Sequence, residues 1–473
     1  SATDSYNTAV GFFAGLAITT GVQNTIIGGL AGDALTDADN NVALGQGALG
    51  SDTLGSRSVA VGSFALDNQN FTSATNTYNV GVGYAAGAAV TTGTLNTLIG
   101  GLAGDSLTDA DNNVAVGAGA LITDTLGSTS VAIGTDTLSA QNFTTATNTY
   151  NTAVGHRAGV AVTTGVENTL IGALAGDALT DADKNVAVGF GALTTDTLGS
   201  RSVAIGEQAL AVQNFTTATD TYNTAVGFNA GAAVTTGVEN TIIGALAGDA
   251  ITTGYQGVMV GYDAGGASTT GQNNVLVGYS AGAEITTGFF NTCIGPSIAG
   301  DNLTTGSFNI YMGYLSRCSA VGAVAEIVIG AGNAAHIGKG NSTALISVSG
   351  GGVYQGNNTS GWSTTSDQRL KKNIVDSTIG LAEINQLQIR NFEYRTVDEI
   401  TELADTDVIN IEGVQVGVIA QEIQAILPNC VNEESTGVLS VNPDNLTWHL
   451  VKAIQEQSAL ITSLTARVAE LEG

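Results

Sequence analysis

Positive charge is scarce in this chain. Against 41 Asp and Glu stand 13 Lys and Arg, a formal net charge of -28 over 473 residues. Divided before Ser366, residues 1–365 hold 6 basic and 24 acidic side chains (-18), and residues 366–473 hold 7 and 17 (-10). Both parts repel phosphate, so nucleic acid is excluded as a partner. An anionic membrane surface is disfavoured for the same reason. Cysteine is nearly missing too. Cys293, Cys318 and Cys430 have no paired spacing and form neither a zinc pattern nor a disulfide framework. They read as small buried apolar residues. There are 3 Pro, 2 Met and 2 Trp, and the hydrophobic 43% comes largely from Ala and Val, which does not suit a large globular core. Long apolar runs are missing as well: stretches such as 84–104 are broken by Gly, Thr and Asn at a fixed period, so no membrane insertion is expected. No signal peptide is visible and position 1 is Ser, from which a fragment or a processed form is expected.

What the chain does have is glycine, 64 of them, and a repeat. Tyr6, Tyr78, Tyr150 and Tyr222 recur with a 72-residue period and open near-copies of one text. Inside each copy recurs a pentapeptide ending in Gly: NTAVG at 7–11, NTIIG at 24–28, NVALG at 41–45, SVAVG at 58–62. The closing glycines Gly11, Gly28, Gly45, Gly62 and Gly83 step by 17, 17, 17 and 21, which sum to 72, and the series runs on to Gly330 in 19 units. A 17-residue period is too short for a helix pair. Val, Ile or Thr at the second and fourth places is strand language, and glycines in the TTG and AG turns supply positive φ. A β-solenoid with a 17-residue coil is expected, roughly 90 Å long at ~4.8 Å per coil.

The third place of the pentapeptide is often Ala (Ala9, Ala43, Ala60, Ala115, Ala132) and points opposite to the β-branched pair. Small residues on that second face predict close packing of another solenoid there, hence an oligomer. The S-V-A-I-G strand resembles the head repeats of YadA-like trimeric adhesins, although the coil length differs.

Two features recur once in every long repeat. The 21-residue coil carries Phe71 and Tyr78, Phe143 and Tyr150, Phe215 and Tyr222, read either as receptor-binding aromatics on projecting loops or as local edge packing. Asp37 and Asp39, Asp109 and Asp111, Asp181 and Asp183 alternate as oxygen ligands do in calcium loops. They lack the bidentate Glu and central Gly of an EF-hand and are equally ordinary turn residues. Apart from calcium at these positions no cofactor is expected. His156 and His336 are isolated.

Beyond Gly330 the period fades. Residues 331–365 read as a β-rich neck, 366–445 as a small α+β domain, and 446–473 as a coiled-coil helix. Ile379 to Gln388 has helical spacing, Gly413–Ile419 alternates like a strand, and Ala420–Leu427 reads as a short helix stopped by Pro428. Leu450, Ile454, Gln457, Ile461, Leu464, Val468 and Leu471 form a heptad seam. Its β-branched residues at a and mostly Leu at d favour two strands by the simplest rule. Three are preferred here because the rest of the chain resembles trimeric families.

Residues 361–374 read GWSTTSDQRLKKNI. This resembles the junction of the intramolecular chaperone found at the C-terminus of endosialidase-type tailspikes and many phage tail fibres, S-D-x-R-L-K-x-N-I, through Ser366, Asp367, Arg369, Leu370, Lys371, Asn373 and Ile374. GVIAQEIQAILPNCV (417–431) and GVLSVNPDNLTWHLVKAIQEQ (437–457) resemble two further blocks of that family, with Asn442 and Pro443 departing from it. The resemblance implies single-turnover self-cleavage between Thr365 and Ser366 by a Ser–Lys dyad, with Ser366 as nucleophile and Lys371 as base. Residue types allow this, since a desolvated lysine can deprotonate a serine. Spacing alone does not choose between Lys371 and Lys372. Asp367 is assigned to orienting either the dyad or the substrate peptide.

The expectation is therefore a mainly β homotrimer: a solenoid fibre, neck, α+β chaperone and coiled coil, with no activity besides self-cleavage. Resemblance places it in a virion as a tail fibre, made in the host cytoplasm. It would meet a host cell-surface glycan or protein receptor and join tail proteins through a missing N-terminal region. The alternatives are a cellular YadA-like adhesin or a glycan-degrading tailspike, the latter needing a carboxylate pair across a sugar.

Overall fold

The computed structural model describes residues 4–348, 351–356, 362–363, 366–401, 409, 411–434 and 436–473. The chain divides into two compact units, Ser1–Thr365 and Ser366–Gly473.

The first unit is a β-solenoid. Each pentapeptide makes a three-residue strand that pairs in parallel with the same strand of the next coil, as in Thr25↔Val42, Ile26↔Ala43 and Ile27↔Leu44. The resulting sheet has 22 strands among the described residues. The last two, Gly351–Gln355 and Trp362–Ser363, are antiparallel, and the other 20 form the parallel ladder. The period that fades from the sequence persists in the backbone: Ile327 pairs with Ala344, its counterpart one coil on. Closing glycines enforce the stacking. Gly45 has φ +139, and a Cβ on it would overlap the carbonyl of Gly62 on the next coil.

Burial reverses one expectation. Third-place Ala43, Ala60, Ala115 and Ala132 are fully buried inside their own coil and do not face another chain. A 17-residue coil leaves little room across its interior, which Ala from the strand and Leu35 and Leu49 from the turns fill. The second and fourth pentapeptide places therefore look outward. From Thr8 to Met312 they are all Thr, Val, Ile, Leu or Met, an uncharged stripe along a strongly acidic chain. Ile27, Ile99, Ile133, Ile171 and Ile205 are all exposed on it.

The first pentapeptide place, usually Asn, forms a buried ladder. Asn24 Oδ1 accepts the Asn41 N–H at 2.9 Å, and Asn24 Nδ2 donates to the Ala38 carbonyl at 2.7 Å. Each carboxamide thus satisfies backbone groups that the turns leave unpaired. At Ser58, Ser130 and Ser202 Ser replaces Asn and cannot reach as far. The four extra residues of the 21-residue coil supply the substitute. Gln69 Nε2 donates to Ser58 Oγ at 2.9 Å and to Asp52 Oδ2 at 2.5 Å, while Gln69 Oε1 accepts from Asn79 Nδ2 at 2.9 Å. The same set recurs around Gln141 and Gln213. At the far end Glu326 closes the ladder, accepting from Tyr311 Oη (3.0 Å) and from the N–H groups of Ser319 (3.0 Å) and Gly340 (2.9 Å).

The second unit is small. Among the described residues its buried apolar cluster is Ile423, Leu427 and Cys430, against which Ile379, Leu387, Val418 and Leu446 pack. Helix α1 spans only Leu381–Ile384, shorter than the 379–388 periodicity predicts. Helix α2 is Ala420–Ile426, with Pro428 opening a 3-10 turn after it, and α3 runs for 30 residues, Pro443–Glu472. Asn442 caps α3 by accepting from the Asp444 and Asn445 N–H groups, so Asn442-Pro443 makes a sound helix start. The seam residues Leu450, Ile454, Ile461, Leu464, Val468 and Leu471 are all exposed. Among the described residues this core cluster is small, and the uncovered seam is where further burial is available.

Candidate active site

The sequence SDQRLKK folds locally because Asp367 caps it. Asp367 is extended (φ -71°, ψ 132°) and its Oδ1 accepts the Arg369 N–H at 2.8 Å, starting one turn of 3-10 helix at Gln368–Leu370. The Arg369 guanidinium locks the same carboxylate, with Nη2 to Oδ2 at 2.6 Å and Nε at 3.1 Å. These bonds hold the Asp367 carboxyl below the ordinary carboxylate range. The turn ends as the Lys371 N–H donates to the Gln368 carbonyl at 3.1 Å.

One turn brings residue 371 back over residue 366. Lys371 Nζ donates to Ser366 Oγ at 2.7 Å. Spacing left Lys371 and Lys372 equivalent, and the turn distinguishes them. Asp367 touches Arg369, so its part is to shape the turn that joins the two residues. Ser366 and Lys371 are both exposed in the single chain. Lysine is a base only when neutral, and desolvation favours the neutral amine. The pair is thus in bonding distance in a setting still open to water. Thr365, the other side of the expected scissile bond, lies outside the described residues.

Residues 366–432 match the family described as chaperone of endosialidase. The match starts at Ser366, the residue at which the second compact unit also begins. That family is a self-cleaving chaperone domain of serine-peptidase type. Helix α3, with the seam, lies wholly beyond the matched residues. No solved structure matches the chain. A β-solenoid is thus followed by a C-terminal domain of the endosialidase chaperone type.

The remaining candidates fall out differently. Phe71, Phe143 and Phe215 do not project: they are only 6–7% exposed. Each ends its turn with its N–H on the buried Asp52, Asp124 or Asp196 carboxylate at 3.0–3.1 Å. Edge packing accounts for them. Tyr78, Tyr150 and Tyr222 are 47–59% exposed. Arg57 donates to the Tyr78 hydroxyl at 3.1 Å, and Arg201 lies over the Tyr222 ring at 5.9 Å. The Asp candidates for calcium serve the turns. Asp39 Oδ1 accepts the Val22 N–H at 2.7 Å, Asp111 the Thr94 N–H at 2.6 Å and Asp183 the Val166 N–H at 2.8 Å. Asp37, Asp109 and Asp181 accept from Thr20, Thr92 and Thr164 hydroxyls one coil earlier. Among the described residues no three His, Cys, Asp or Glu side chains converge as a metal group would require.

Sequence reasoning missed the Asn ladder and the Asp52–Gln69–Ser58 network. The signal for both was present: Asn at the first pentapeptide place gives way to Ser58, Ser130 and Ser202 only where the coil lengthens.

Proposed function

We propose that this chain is a homotrimeric tail fibre whose C-terminal unit aligns three solenoids, drives their folding and then severs itself between Thr365 and Ser366. The observation that carries this reading is Lys371 Nζ at 2.7 Å from Ser366 Oγ, on the first turn of the segment that matches the chaperone family. In the proposed reaction Ser366 Oγ loses its proton to neutral Lys371 and attacks the Thr365 carbonyl. The Thr365–Ser366 C–N bond breaks, and the protonated Lys371 returns the proton to the departing Ser366 amine. Water then releases the ester between Thr365 and the Ser366 side chain.

The solenoid supplies the need for such a device. Its coils are near-identical, so strands from three chains can meet out of register by whole coils. A terminal helix that associates first fixes the register and raises the local concentration of the strands. The outward Thr/Val/Ile stripe and the exposed seam are the surfaces such association would cover, and both are free of the charge that otherwise separates identical acidic chains. Receptor contact, by a glycan or a protein of the host surface, falls to the exposed Tyr78, Tyr150 and Tyr222. Cleavage removes the assembly aid and leaves a fibre that is kinetically hard to unfold.

Expression of the full chain with light scattering and denaturing gels tests this. A trimer that converts to a fibre ending at Thr365 plus a released piece spanning Ser366–Gly473 is expected. A stable monomer contradicts the fibre reading.

A further inference from the structure

Helix α3 carries two faces that serve different ends. One holds the exposed seam residues, Ile454 among them. The other packs on its own unit through His449 and Ala453, both buried. On that second face, one position before the seam's Gln457, Glu456 Oε2 accepts the Leu381 N–H at 2.8 Å across 75 residues of sequence.

The contact is built from both sides. Gly380 is buried, and a Cβ on it would overlap the Glu456 carboxylate. The Gly380 N–H donates to Glu383 Oε2 at 3.0 Å, so two carboxylates hold consecutive N–H groups of the same short segment. This segment is where the dyad arm enters the folded unit. Residues 371–378 are exposed without exception, and Ile379 is the first to pack against the Ile423–Leu427–Cys430 core. Leu370, Ile374 and Val375 on the arm are 64–86% exposed, so the arm's course depends on where it is anchored.

We infer that Glu456 is a positioning residue for self-cleavage: it ties the root of the arm bearing Ser366 and Lys371 to the helix that forms the assembly seam. Closing the seam thereby sets the direction in which the arm leaves its unit and presents the dyad to its substrate bond. This rests on the self-cleavage reading above. Glu456 touches neither dyad residue and acts through Gly380 and Leu381. A misdirected arm loses the near-attack geometry on which the rate depends.

The test compares full-length wild-type chain with Glu456→Ala, Glu456→Gln and Gly380→Ala, reading trimer mass by light scattering and cleavage rate on denaturing gels. Glu456→Ala should form trimers and cleave more slowly, on the order of tenfold. Glu456→Gln should restore most of the rate, because its amide oxygen accepts the same N–H. Gly380→Ala should slow cleavage without altering α3. Wild-type rates in Glu456→Ala trimers, or a Gln variant as slow as Ala, would overturn the inference. If Glu456→Ala does not assemble, Gly380→Ala decides: slow trimers support the role, and fast trimers or no assembly oppose it. A wild-type trimer that never cleaves removes the self-cleavage reading and this inference with it, whereas wild-type cleavage with unaffected variants removes only this one.

Discussion

Asn113 donates its backbone N–H to Oδ1 of Asn96, one coil earlier, at 3.0 Å. Asn96 Nδ2 in turn donates to the Ala110 carbonyl at 2.7 Å. Both carboxamides are fully buried, so removing one strands two backbone groups away from water. Asn96→Ala is expected to lower stability by about 2–6 kcal/mol, counting about 1–3 for each orphaned group. The neighbouring Thr97→Ala, on the partly open outer face, should cost much less. Chemical denaturation of the released fibre measures both, and equal effects would contradict a ladder that holds the coils.

The outward stripe gives a second prediction. Ile171 is 40% exposed in the single chain, so Ile171→Asp leaves the coil interior intact. It places a carboxylate on the surface proposed to meet other copies, where burying an unpaired charge is costly. Circular dichroism should stay β-rich while light scattering shows loss of the trimer. An unaltered trimer would move the interface elsewhere.

For attachment, the aromatic residues separate into two classes. Phe71→Ala removes a buried ring and should destabilise by about 3–5 kcal/mol. Tyr78→Ala, Tyr150→Ala and Tyr222→Ala together should leave folding unchanged and weaken adsorption to host cells. Unchanged adsorption in the triple variant would assign receptor contact to other residues.

Acid should act oppositely on the two units. Burial pushes the Asp52 carboxyl up from its ordinary value near 3.8. Its folded-state pKa is raised, so its stabilising contribution is complete below the unfolded pKa and lost as pH rises through the folded one. The solenoid should therefore melt higher near pH 3.5, just below the unfolded value, than at pH 7. Glu383, which accepts the Gly380 N–H, is held below its ordinary value. Its contribution is present above the unfolded pKa and lost as pH falls through the folded one. Melting curves of the released fibre and of the 366–473 piece near pH 3.5 and at pH 7 check the signs, and a solenoid that melts lower near pH 3.5 would contradict the first.

Much of the fold was legible because closing glycines cannot vary: a Cβ on Gly45 has nowhere to go, and the period survives every other substitution. Alternation in NVALG shows two faces without saying which is inside. Only coil width settles that Ala43 faces in and Val42 and Leu44 face out. Asn24 and Asn41 open their pentapeptides with no visible role, since a ladder bond spans a coil and leaves no local mark. The Ser366–Lys371 pair was available only through resemblance, as Lys372 has the same chemistry at the adjacent position. The tie between Glu456 and Leu381 spans 75 residues and has no sequence signal at all.

The central claim is most directly tested at the new N-terminus. Purified full-length chain and its Ser366→Ala, Lys371→Ala and Lys372→Ala variants are assembled in parallel, and the products are sized by mass spectrometry. Wild type and Lys372→Ala should each yield a piece spanning Ser366–Gly473, while Ser366→Ala and Lys371→Ala remain full-length trimers, because Nζ and Oγ are needed for the cut and not for the seam. Cleavage at another bond, or undiminished cleavage in Ser366→Ala, would contradict the account.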